Sequence, residues 1–193
     1  MNYYIADTHF GHYNIILLDG RPFSCSREME DIIVQNWNKE VRDNDTVYIL
    51  GDFCWIKDEK EWIRILDKLN GNKVLLRGNH DIKRMGQKLR SKFEIIAERL
   101  EINDGKYKIL LSHYPELMYN GSFRDNVYMF CGHIHVGIED ILFNEFVKKI
   151  KEYPNGPKGN IMNVGCMKEY MNFTPRTAEY IIEQHYKIYN QRK

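Results

Sequence analysis

The feature that most constrains this chain is a series of short apolar runs, each halted by a turn that carries Gly, Asp, Asn or His. Tyr3 to Ala6 runs into Asp7-Thr8-His9, Thr46 to Leu50 into Gly51-Asp52, and Lys73 to Arg77 into Gly78-Asn79-His80. Tyr107 to Leu111 runs into Ser112-His113, and Val127 to Cys131 into Gly132-His133. Near-continuous runs of Val, Ile, Leu and Tyr predict strands buried on both faces. Helical periodicity lies between them. Met29, Ile32, Ile33, Trp37 and Val41 recur at three-to-four-residue spacing within Arg27 to Val41; Trp62, Ile65, Leu66 and Leu69 do so within Asp58 to Leu69, before Asn70-Gly71. A third helix is expected over Asp81 to Lys92, a final strand over Asn160 to Val164, and a last helix from about Pro175 to Ile188. Strands alternating with helices predict a layered α/β domain.

The segment Ile138 to Gly159 admits two readings. Phe143, Phe146, Val147 and Ile150 have helical spacing and Pro154-Asn155-Gly156-Pro157 signals a loop, so it is either a lid beside the site or a long surface connection. With 28 basic against 27 acidic residues the formal charge is +1, which supplies no general attraction to nucleic acid or an anionic membrane. No extended nucleic-acid track and no membrane partner are expected. No apolar run approaches the roughly 20 residues needed to span a bilayer, and the N-terminus lacks the basic start and long apolar stretch of a signal peptide. Cys25, Cys54, Cys131 and Cys166 form no CxxC pair, so a reducing compartment, the cytoplasm, is expected.

Of the seven histidines, His9, His12, His80, His113, His133 and His135 all sit where an apolar run gives way to a turn. Functional residues of α/β sheets gather at the carboxyl ends of strands. The pattern is Asp7-x-His9, Gly51-Asp52, Gly78-Asn79-His80-Asp81, Ser112-His113 and Gly132-His133-x-His135. Two-residue spacing on a segment leaving a strand lets both side chains aim at one point. Imidazole, carboxylate and amide oxygen together suit borderline transition metals. Asp7, His9, Asp52, Asn79, His113, His133 and His135 exceed the roughly four ligands of a single zinc and suffice for two ions that share a carboxylate.

These blocks, in this order, resemble the calcineurin-like metallophosphoesterase superfamily, in particular its small single-domain bacterial and phage-type members. By motif the resemblance spans Asn2 to His135. It implies a four-layer α/β sandwich, two mixed β-sheets flanked by α-helices, formed by residues 1–193 as one domain. It implies two divalent metal ions, Mn2+ first, with Fe, Ni, Co, Zn or Mg as alternatives. Asp7, His9, Asp52 and His135 would hold one; Asp52, Asn79, His113 and His133 would hold the other, with Asp52 bridging. The implied reaction is hydrolysis of a phosphodiester, or less preferentially a phosphomonoester, by hydroxide held between the metals. His80 would protonate the leaving group and Asp81 would hold its ring. The expected partner is a phosphate ester, with nucleotides among the candidates.

Other residues stay open at this level. Asn79 is also placed to touch the phosphate. His12 either contacts substrate phosphate, sits just behind the metal ligands, or caps a helix; Arg21 is a candidate bidentate phosphate ligand, and Arg77 reads as a surface pair. Tyr114 and Tyr119 are placed to line a nucleobase pocket, whereas Trp37, Trp55 and Trp62 read as packing. A catalytically silent scaffold of the same fold is the alternative function, and His80 between Asn79 and Asp81 argues for turnover.

Overall fold

In a computed structural model that describes residues 1–191, the apolar runs form two four-stranded sheets packed face to face. The first contains β1 (Asn2–Ile5), β2 (Thr46–Leu50), β3 (Asn72–Leu76) and β4 (Ile95–Ala97), all parallel, with Tyr4 bridged antiparallel to Arg176. The second contains β5 (Arg99–Asp104), β6 (Tyr107–Ser112), β7 (Val127–Cys131) and β8 (Ile161–Asn163). Its first pair is an antiparallel hairpin and the rest is parallel.

Side-chain alternation explains the stacking, because successive residues of a strand point to opposite faces. In the first sheet Tyr3, Ile5, Val47, Ile49 and Leu75 face outward into a core with helices α1 (Tyr13–Leu18), α2 (Ser26–Glu40), α3 (Glu59–Leu66) and α4 (Gln87–Arg90). Tyr4, Leu50, Val74 and Leu76 face inward and meet Ile109, Leu111, Tyr128, Phe130 and Met162 of the second sheet. The far face of that sheet, through Leu110, Met129, Cys131 and Ile161, packs on Val147 of α5 (Ile138–Lys151), whose Ile150 is also buried. Helix α6 (Ala178–Gln191) adds Ala178, Ile181 and Ile182 to the core between the sheets.

Local chemistry sets the helix ends. Cys25 Sγ accepts from the Glu28 amide while the Glu28 carboxylate accepts from Ser24 N and Oγ, a reciprocal cap at the start of α2. Asp58 caps α3 by accepting from Lys60 N at 2.9 Å. The helix expected over Asp81 to Lys92 is reduced to α4, because its first residues are pulled elsewhere: Asp81 accepts backbone amides from the turn after β2 and from Gly78 of its own turn, and the Arg77 guanidinium takes the carbonyls of Ile82 and Lys83. Between the expected lid and the surface connection, 138–151 is an ordinary packed helix covering the second sheet. Among the described residues, no helix is long and apolar enough to cross a membrane.

Backbone hydrogen bonds join the two sheets beyond β8. Beyond β8, Val164 N donates to Cys131 O of β7 at 2.7 Å, while Val164 O accepts from Ala6 N and Cys166 N donates to Ala6 O. One extended segment therefore borders β7 with its first half and the end of β1 with its second.

Candidate metal centre

The turns leaving β1, β2, β3, β6 and β7 converge at one end of the sandwich. Their backbone is strained in a way that fits the residues present. Asp7, His9, Asp52 and His133 have φ of 55°, 49°, 50° and 69°, the left-handed region, where Asp and His are tolerated better than most side chains. Only Asn172 and Phe173 share this feature among the described non-glycine residues. Gly51, with φ of 84°, requires glycine: a Cβ there would lie 2.4 Å from His113 Nδ1 and 2.7 Å from Gly78 Cα. This close approach lets the second, third and fourth turns meet.

The seven expected ligands are brought together. His113 Nδ1 is 2.8 Å from Leu50 O, which only accepts, so that nitrogen carries the hydrogen. Burial lowers the His113 pKa, so the ring is neutral and its Nε2 presents a lone pair. That lone pair faces Asn79 Oδ1, another acceptor, at 2.9 Å. Two acceptors this close repel unless a cation lies between or beside them. His133 Nδ1 lies 3.1 Å from the same Asn79 oxygen, and His9 Nε2 lies 3.3 Å from His135 Nε2. Asp52 Oδ2 is 3.6 Å from both His9 Nε2 and His113 Nε2, so one oxygen faces an imidazole from each half of the cluster. Asp7, His9 and His135 have ligand atoms within 4.8 Å of one another, as do Asp7, Asp52 and His113.

The electrostatics agree with a cationic occupant. Burial, with Asp52 adding like charge, pushes the Asp7 carboxyl up to about 7 despite opposing hydrogen bonds and cations. Burial likewise drives His9 far down. Buried carboxyls and the depressed His9 and His113 imidazoles are rich in lone pairs, and a divalent cation stabilises the unprotonated forms that ligation needs. The donor set therefore fits metal ions.

Three expectations need correction. Asp81 does not hold the His80 ring: its carboxylate accepts from Asp52 N, Phe53 N and Gly78 N at 3.1, 2.9 and 2.8 Å, and so binds the second turn to the third. Burial raises its pKa to about 6 even against those bonds. Arg21 is not a substrate ligand. Its buried guanidinium donates to Asp7 O at 2.9 Å and Thr8 O at 3.1 Å, and to Asp19 Oδ2 through both Nε and NH2. Tyr119 is buried, with its hydroxyl on Asn160 O. The Arg77 guanidinium holds carbonyls and lies 3.8 Å from Glu98.

His12 occupies the N-cap position of α1 but makes no side-chain cap bond; its ring stacks flat on Trp55, with centroids 3.8 Å apart. Trp55 is not core packing, being over one-third exposed and 4.7 Å from the His80 ring. His80 donates its backbone N–H to Asp52 Oδ1 at 2.8 Å, and Lys57 Nζ donates to its carbonyl.

Sequence reasoning missed Asp19. Its side chain is 1% exposed, and both oxygens lie 3.0 Å from His135 Nδ1. A carboxylate on the far nitrogen of a ligating histidine fixes the ring and directs the other nitrogen inward. Burial lowers the His135 pKa, but the Asp19 hydrogen bond and the Asp7 charge outweigh it and the net shift is upward. Asn163 was missed too: Nδ2 donates to Ile134 O at 2.6 Å and Oδ1 accepts from Gly165 N, which fixes the backbone between His133 and His135. The only sequence signal was Asp19-Gly20-Arg21, opposite charges astride a glycine just after the first motif.

The family profile of calcineurin-like phosphoesterases matches residues 3–154. The chain belongs to this family. Two similar proteins match most of this calcineurin-like phosphoesterase chain. An uncharacterized protein of Methanocaldococcus jannaschii is 37% identical over 183 residues, covering 94% of this chain and 89% of its own length. The crystal structure of a protein of unknown function from Aquifex aeolicus superposes with a TM-score of 0.67 at 28% identity, covering 95% of this chain and 98% of the other.

Proposed function

We propose that the protein is a dinuclear metal-dependent phosphoesterase that cleaves phosphodiesters more readily than monoesters. The supporting observation is the pair of facing acceptors, His113 Nε2 and Asn79 Oδ1 at 2.9 Å, beside a second imidazole pair, His9 and His135, with Asp52 Oδ2 between the two. Asp7, His9, Asp52 and His135 would hold one ion and Asp52, Asn79, His113 and His133 the other, with Mn2+ the first choice. Bound divalent ions would neutralise phosphate oxygens and acidify water.

The chain's own residues do the rest. Asp19 and Arg21 orient His135 and the first turn; Asp81 holds the Asp52, Phe53 and Gly78 amides in place. His80, half-buried at the rim with its main chain anchored to Asp52, is the proton donor to the leaving oxygen. The test measures metal content and turnover of bis-p-nitrophenyl phosphate, p-nitrophenyl phosphate and 2′,3′-cyclic nucleotides with Mn, Ni, Co, Mg and Zn. His80→Asn should keep its metals and lose roughly 10²–10⁴-fold in turnover. Unchanged turnover in that variant removes the general acid. Silence of the parent with two metals bound makes the protein a scaffold.

A further inference from the structure

A phosphodiester has two ester arms, and only one leaves toward His80. Beside Asn79 opens a cleft of about 430 Å³, within the range of small-ligand sites. One wall is Tyr114, half-exposed, with its ring centroid 4.4 Å from His133 and 5.1 Å from His113. The ring thus packs against two expected ligands while half of its surface stays open. Ile82 adds an apolar wall, and Arg77, Lys83 and Glu98 supply a polar rim. Arg77 is occupied with the Ile82 and Lys83 carbonyls, which fixes the loop as a wall. Two cations, Arg77 and Lys83, are matched by two acids, Asp81 and Glu98, so the cleft has no net charge to attract a second phosphate.

We infer that this cleft receives the arm of the diester that does not leave, and that this arm is a nucleoside whose base stacks on Tyr114. An uncharged, planar, hydrogen-bonding group matches an aromatic wall with a polar rim, and base–aromatic stacking tolerates any base. The inference rests on the phosphoesterase reading and names the substrate class of that site.

Three substrates with one leaving group provide the test: thymidine 5′-(4-nitrophenyl phosphate), methyl 4-nitrophenyl phosphate and 4-nitrophenyl phosphate. The parent should prefer the thymidine ester to the methyl ester. Tyr114→Ala should lower kcat/KM for the thymidine ester by roughly 5- to 100-fold more than for the methyl ester and the monoester, whereas Tyr114→Phe should retain the preference. Equal rates on the two diesters in the parent, or an equal loss on all three substrates in Tyr114→Ala, overturns the assignment. In parallel, thymidine 5′-monophosphate is titrated calorimetrically into the metal-loaded proteins, with thermal melts confirming folding. Weaker binding by Tyr114→Ala supports the cleft even if no ester is cleaved, an outcome that would sink the phosphoesterase reading alone. Equal binding overturns the cleft.

Discussion

Replacing Asp19 by asparagine separates ligand identity from ligand orientation. The carboxylate serves two donors at once, His135 Nδ1 at 3.0 Å and the Arg21 guanidinium at 2.8–2.9 Å. An amide offers one oxygen, and its NH2 must then face one of those donors. Breaking a buried ion pair from one side costs about 3–5 kcal/mol. Arg21 keeps the Asp7 and Thr8 carbonyls as acceptors, so the lower end, about 3 kcal/mol, is expected. In a chain of this size that corresponds to a melting temperature lower by about 6–12 °C. Loss of such an outer carboxylate weakens metal affinity by about 10- to 100-fold, or about 1.4–2.7 kcal/mol. The assay is Mn2+ titration against a competing fluorescent chelator, at a temperature where melting shows Asp19→Asn to be folded. A folded variant that binds Mn2+ as tightly as the parent would refute the orienting role.

Other perturbations test separate layers of the argument. Asp81→Ala strips three backbone amides of their acceptor and should cost about 2–4 kcal/mol with reduced metal content; full metal content at unchanged stability would contradict the clamp. On the α2–α3 face, hydrogen bonds from Arg64, working against partial burial and aided by Lys68, hold the Glu30 carboxyl at about 2. Its folded value lies below the usual 4.5, so its stabilisation is complete above about 4.5 and is lost as pH falls through about 2. Glu30→Gln should be less stable than the parent by about 1–2 kcal/mol at pH 7, and urea titrations should show the gap closing below about pH 4.5. Ile150→Ala should cost about 2–4 kcal/mol if α5 is a structural wall; a gain in turnover with no loss of stability would restore the lid.

The candidate ligands were legible as a cluster because each is a polar residue placed where an apolar run must stop, and strand ends bring such residues together whatever the connections between them. Strands buried on both faces, such as Val127–Cys131, show up as unbroken apolar runs. The β4–β5 pair was illegible because Ile95–Ala97 and Arg99–Asp104 carry Glu98, Arg99 and Glu101 within or between them, and they sit partly exposed at sheet edges. The roles of Asp81 and Arg21 were misread for one reason. A charged side chain next to a motif is as able to satisfy buried backbone as to meet a substrate, and only burial separates the two. Trp55 erred the other way, an aromatic that composition assigns to the core but the fold leaves at the rim.

The segment that borders both sheets has a consequence for how the protein assembles in time. Asp7 stands at the end of β1, and His133 and His135 follow β7; 161–166 is the bridge between those strands, with Cys166 Sγ donating to Asp7 O across 159 positions of sequence. Closing so long a loop is entropically unfavourable and is rewarded late. Contact order therefore predicts that the two halves of the candidate ligand set acquire their mutual geometry late in folding. Ions bound to the finished cluster, as proposed above, would favour the native state over every partly folded one by an amount that grows with the logarithm of their concentration, so metal availability would set both occupancy and stability.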